Sequence, residues 1–124
     1  MLLTPYYAAI LALIYVALSY RVIRLRQKLR VSLGDGKDKQ LNRAIRVHGN
    51  FSEYVPLTLI MIYFVEVQVQ NLLLVHGLNS ALIIARLAHI YGVNQLRENI
   101  AFRVFSLCIT GLVISISAIS ILIT

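Results

Sequence analysis

The chain has 124 residues, of which 59% are hydrophobic and only 14% charged, with a formal net charge of +7. The length sets a single domain, residues 1–124, and the charge is too sparse to cover a small water-soluble fold. The basic balance does not mark a nucleic-acid binder, because the charges cluster along the chain and leave long stretches with none.

Leu2 to Tyr20 carries no charge. That is about the ~20 residues a helix needs to cross the hydrocarbon core. A cleaved signal peptide has basic residues before its apolar run, whereas here they follow it, in RVIRLRQKLR. The first segment is therefore read as an uncleaved spanning helix with a basic extension. SLGDGKDKQ, Ser32 to Gln40, is the clearest loop, with Gly34-Asp35-Gly36 as its turn signal. A second apolar segment runs from about Leu41 to Val69 and a third from about Leu72 to Val93, joined at Asn71. YGVNQLREN, Tyr91 to Asn99, leads to the fourth, from about Ile100 to Thr124, which is uncharged from Val104 onward. Cys108 lies inside that apolar run and reads as a small hydrophobe.

Nine of the twelve Lys and Arg lie between Arg21 and Arg46, and Arg97 and Arg103 flank the last loop. The termini and the Gln68–Asn71 connector have none. By the positive-inside rule the first and third loops face the cytoplasm. The expected fold is all-α: an integral-membrane, four-helix up-down bundle with both termini on the non-cytoplasmic side.

The second and third segments are the unusual ones. Their uncharged runs, Tyr54–Val65 and Leu72–Ala85, are too short to span alone. To cross, the second helix takes in Asn50 and Glu53, and the third takes in Arg86 and His89, all at the basic end. Ionisable groups at membrane depth are costly and face a protein interior or a wet cavity. Arg46, Asn50 and Glu53 are spaced by four and three, which places them on one helical face, and Arg43 extends that stripe. Arg86 and His89 are spaced by three and share a face. Guanidinium forks grip carboxylates in two-point geometry, and a carboxylate accepts an ammonium. The set suits a small zwitterion with several carboxylates. The structural alternative is that Glu53 neutralises Arg46 or Arg86 at a helix contact. His48 is read as an interfacial side chain, and Glu66 and His76 as groups facing solvent or headgroups at the far surface. The basic run on the first helix anchors to anionic lipid. No metal motif, nucleophile elbow or Gly-rich phosphate loop is present in the sequence.

At these residues the chain resembles the MAPEG family, the membrane-associated proteins in eicosanoid and glutathione metabolism, and within it the small bacterial branch. The carrying motif is R-x-x-x-N-x-x-E-Y-x-P, here Arg46, Asn50, Glu53, Tyr54 and Pro56. ARLAHIYG, Ala85 to Gly92, and the basic stretch RLRQKLRVS match further. The resemblance implies a homotrimer with glutathione bound between subunits near the cytoplasmic face of a bacterial inner membrane. It implies glutathione contacts from Arg46, Asn50, Glu53 and Tyr54, with Glu53 meeting the γ-glutamyl ammonium, and from Arg86 and His89. Arg24 and Arg26 fall near the arginines that close the site from the first helix. Arg103 matches the arginine that stabilises the glutathione thiolate for attack on hydrophobic electrophiles arriving from the lipid. The chain departs from the family at Val93 and Leu107, where well-studied members often carry tyrosines. It departs again at Val104, where prostaglandin-forming members carry serine. The binding half of the motif is thus better matched than the activating half.

Three functions follow in order of preference. The first is a glutathione transferase, or a peroxidase acting on lipid hydroperoxides. The second is a glutathione- or lipid-binding membrane protein without efficient catalysis. The third is a small proton-coupled exporter, which calls for a carboxylate free to exchange protons, whereas Glu53 is crowded by arginines.

Overall fold

Four helices account for the secondary structure of the computed structural model, which describes every residue except Leu96 and Glu98. They are α1 (Thr4–Leu29), α2 (Lys39–Gln68), α3 (Leu72–Asn94) and α4 (Ile100–Ile123). Short connections make consecutive helices antiparallel neighbours. The chain is an integral-membrane, all-α four-helix bundle.

The exterior is as apolar as the interior. Ile10, Leu13, Val16, Leu73, Leu87, Leu112 and Ile119 are all exposed, as lipid-facing residues are. The buried core is narrower, with Leu11 and Leu18 from α1, Val47, Phe51, Ile62 and Val65 from α2, and Val75, Leu78 and Leu82 from α3. α4 buries mostly small hydroxyl residues, Ser106, Thr110 and Ser117. Each hydroxyl donates to a carbonyl of its own helix, at 2.8, 2.8 and 2.7 Å, so none needs a partner on the neighbour. Small residues let helix backbones approach in the absence of water, and α3 and α4 form the most extensive packing in the bundle.

Side chains set three of the helix starts. Asp38 accepts from the Leu41 N–H at 2.8 Å, Asn71 from Leu74 at 3.0 Å, and Asn99 from Ala101 at 3.2 Å. Each satisfies an N–H that has no partner within its helix. α1 has no such residue of its own, since Leu3 stands at its cap position. Glu66, reaching across from the end of α2, does the work instead. Its carboxylate accepts from the Leu3 N–H and, at 2.8 Å, from the Thr4 N–H. This corrects the sequence expectation that Glu66 faces solvent or headgroups: it is buried, with 6% of its surface exposed. A carboxylate beside orphan N–H groups at the positive end of a helix dipole is well placed. His76, expected at the same surface, is exposed, and Tyr7 Oη lies 2.7 Å from its Nδ1. Glu66→Ala is expected to destabilise the bundle by about 1–3 kcal/mol, the cost of orphaning buried donors. A lowered thermal midpoint in detergent, with the helix content of the folded protein unchanged, checks this. An unchanged midpoint would show the cap to be dispensable.

Three helices, α1, α3 and α4, are long and apolar enough to cross a membrane. α3 qualifies despite Arg86, because its helix runs the full 23 residues from Leu72 to Asn94. The expected Tyr91–Asn99 connection is therefore shorter than the sequence implied, since Tyr91 to Asn94 are helical. Leu96 and Glu98, within it, lie outside the described residues. α2 is not among the three spans; its 30 residues make about 45 Å of helix, and its first half carries the charge.

Candidate functional site

The basic end of the bundle holds a small polar pocket of about 100 Å³ lined by Asn42, Arg43, Arg46 and Asn50 of α2, His89 and Val93 of α3, and Arg103 of α4. Of the residues expected from the sequence, Arg46, Asn50, His89 and Arg103 meet here, from three helices. Arg103 is exposed at the rim and His89 is buried in the wall. Asn42 and Val93 were not expected to bind. Asn42 lies four residues before Arg46, so extending the helical stripe by one turn would have reached it.

Arg86 lies deeper. It is wholly buried, and its Nη2 donates to Asn50 Oδ1 at 2.7 Å. Its guanidinium carbon sits 5.6 Å from the centre of the Phe51 ring, within cation–π range. Its Nε and Nη1 find no partner among the described residues. Arg86 therefore holds the amide oxygen of Asn50 and does not line the pocket itself.

Glu53 and Tyr54 lie on the open side of the same helix. Glu53 is 3.9 Å from Arg46, and both side chains are 55% exposed. Glu53 thus pairs with Arg46, not with Arg86, and this exposed pair is worth little to stability. Tyr54 is exposed at 36%. In a single chain neither lines the pocket.

The first-helix arginines are also apart from it. Arg24 lies 5.9 Å from the Tyr20 ring on the exposed face of α1. Arg26 donates to the Gly34 carbonyl at 2.7 Å and clasps the α1–α2 loop. That loop is further pinned by Asp35. The Lys37 backbone N–H, then the Asn42 amide, donate to it and hold its carboxyl below the usual carboxylate range. An acid whose pKa is lowered on folding contributes at any pH above its unfolded value, so the loop keeps this clasp at neutrality.

Two contacts set the pocket's shape. Arg43 Nη1 donates to the Gln95 carbonyl and ties α2 to the end of α3. Gly92 lets α4 begin close by: a Cβ there would lie 2.7 Å from the Phe102 Cβ and 3.3 Å from the Asn99 carbonyl oxygen. The Gly92 carbonyl accepts from the Asn99 N–H at 3.1 Å. Gly92, the last residue of the ARLAHIYG stretch, thereby brings Arg103 over His89 and Val93.

His48 lies between two helices. Its Nε2 lies 2.8 Å from Ser19 Oγ and its ring stacks on Tyr15 at 4.7 Å, joining α1 to α2.

Residues 4–123 match the MAPEG family. The inner membrane protein YecN of Escherichia coli strain K12 is 40% identical over 86 residues, covering 69% of this chain and 66% of YecN. YecN of Escherichia coli O6:H1 gives the same identity and coverage. The match thus spans just under two thirds of the length of these curated relatives. No solved structure matches the chain.

Proposed function

The chain belongs to the MAPEG family, and from that premise we propose that it is a membrane-bound glutathione-dependent transferase of the inner membrane, with its site near the cytoplasmic face. The observation that carries this reading is the pocket itself. Arg43, Arg46 and Arg103 converge with the amides of Asn42 and Asn50 at the basic end of the bundle. Such a set offers two-point partners for carboxylates and a cationic setting for a thiolate. A thiol has an ordinary pKa of about 8.5, and adjacent guanidinium groups favour the ionised nucleophile.

A space of about 100 Å³ is small for a tripeptide, since ligand pockets usually measure about 300–1,000 Å³. The missing walls are supplied by a second copy of the chain. Glu53 and Tyr54, exposed beside the pocket, then meet the γ-glutamyl group, and an exposed Arg24 closes the site from the neighbouring α1. This is the reading under which a homotrimer places its sites between subunits. Hydrophobic electrophiles, or lipid hydroperoxides if the activity is a peroxidase, reach the sulfur from the lipid.

Calorimetry of glutathione with the detergent-purified protein tests the reading. Binding in the micromolar to millimolar range is expected, with loss in both Glu53→Gln and Arg46→Ala. No binding to a verified folded oligomer would sink it. One observation favours a second reading, a glutathione-binding protein without efficient turnover: the pocket wall presents Val93, with no hydroxyl, where well-studied members often carry a tyrosine.

A further inference from the structure

A second pocket, of about 480 Å³, lies beside the first and involves residues that the glutathione reading does not use. Its walls come from three helices and the α1–α2 loop, and include Arg21 of α1, Lys37 and Asp38 of the loop, Lys39 and Arg43 at the start of α2, and Asn94 at the end of α3. Four of these six side chains are cationic and one is acidic.

The acidic groups nearby are already engaged. Asp38 Oδ1 accepts from the Leu41 N–H as the cap of α2. Asp35 accepts from the Lys37 N–H at 2.9 Å through Oδ1 and from the Asn42 amide at 2.8 Å through Oδ2. Among the described residues the single ion pair is Arg46 with Glu53, so Arg21, Lys37 and Lys39 have no carboxylate partner. The loop also fixes the backbone of one of them. Lys37 is held at φ 61°, a left-handed conformation that non-glycine residues adopt at a cost. The Asp35 clasp on its N–H retains it there.

Depth identifies the ligand's source. Arg21 directly follows the uncharged Leu2–Tyr20 run, so it stands where α1 leaves the hydrocarbon. Asn94 is the last residue of α3, at the same end of the bundle. The pocket is therefore level with lipid headgroups, where a basic cluster attracts anionic lipid. We propose that it is a phosphate site that holds the headgroup of an anionic phospholipid. Lys37, Lys39 and Arg21 neutralise the phosphodiester, and the Asn94 amide supplies a hydrogen-bond donor. Arg43 lines both pockets, so the lipid phosphate shares a wall with the glutathione site without filling it.

Native mass spectrometry of the detergent-purified protein tests this by counting lipids retained from phosphatidylglycerol and from phosphatidylcholine with the same acyl chains. Phosphatidylglycerol is expected to be retained preferentially. Lys37→Gln/Lys39→Gln is expected to weaken that retention tenfold or more, the scale of two lost headgroup cations. Lys28→Gln/Arg30→Gln removes the same charge at exposed positions outside the pocket and is expected to change retention less than about twofold. An equal loss in both double variants would show diffuse attraction and overturn the proposal. So would equal retention of the two lipids. Inorganic phosphate is expected to compete only weakly. If it displaces phosphatidylglycerol at micromolar concentration, the site takes the free anion and the lipid assignment fails.

Discussion

Asn50→Leu is expected to destabilise the bundle by about 2–4 kcal/mol, and Arg86→Met to relieve most of that loss when added to it. Arg86 is fully buried and, among the described residues, has one acceptor, the Asn50 carbonyl oxygen. Hydrogen bonds to charged groups contribute about 1.5–3 kcal/mol, and removing the partner leaves a buried charge uncompensated. Replacing the charge by an apolar side chain of similar length removes the problem at its source. Buried charges exchanged for well-packed hydrophobes are often neutral or better. Phe51, which now faces the guanidinium at 5.6 Å, offers methionine a favourable sulfur–aromatic contact in return. Unfolding midpoints for the two single variants and the double variant close the cycle. A coupling energy of at least about 1 kcal/mol is expected for residues in direct contact. Strict additivity would mean that the 2.7 Å bond carries nothing. The functional readout runs the other way. Arg86→Met keeps the fold yet frees the Asn50 side chain to rotate, so glutathione affinity falls although Arg86 does not line the pocket. That split, stability kept and affinity lost, would explain why the chain carries an arginine where a hydrophobe is cheaper.

Much of this arrangement was legible from spacing alone. Two charge-free runs and the density of arginines between Arg21 and Arg46 are enough to set four helices and the basic end. The stripe of Arg46, Asn50 and Glu53 was equally visible, but its split between inside and outside was not. At about 100° per residue, Asn50 lies about 40° to one side of Arg46 and Glu53 about 20° to the other. The first rotates into the bundle and the second onto its surface. Only the packing of α2 against its neighbouring helices decides which side is which.

Glu66 shows a different limit. It falls four residues after Ile62 and eight after Thr58, both fully buried, so its position on the buried line was readable. Its partners were not, because they are backbone N–H groups of α1, and a backbone group carries no sequence signal. Arg26 was hidden for the same reason: the acceptor that draws it away is the Gly34 carbonyl. Arginine positions are therefore the least legible part of this site. Their reach lets a nearby carbonyl capture them whatever face their Cα occupies.

Arg103→Gln is the variant expected to separate a transferase from a binding protein, and its effect on rate is the largest of any change considered. Arg103 lines the pocket with Arg43 and Arg46 but comes from a different helix, held in place by the close approach at Gly92. Under the transferase reading, the α2 residues hold the carboxylates and ammonium of glutathione, while Arg103 faces the sulfur. Removing it leaves those α2 contacts intact, so glutathione binding by calorimetry is expected to change less than about threefold. The thiol, without its nearest cation, returns toward its ordinary pKa of about 8.5, at which only a few per cent is ionised at pH 7. If the wild-type site lowers that pKa by two units, each unit being about 1.36 kcal/mol, the thiolate fraction at pH 7 drops at least tenfold in the variant. The charge also stabilises the developing transition state, and a lost electrostatic donor costs about 10²–10³ in turnover. The pH profile gives the signature that a merely structural role would not: the rate of the variant rises with pH to about 8.5, while the wild type levels off earlier. Equal pH profiles, or a wild type that binds glutathione and turns over no electrophile in a broad screen, would assign the pocket to binding alone.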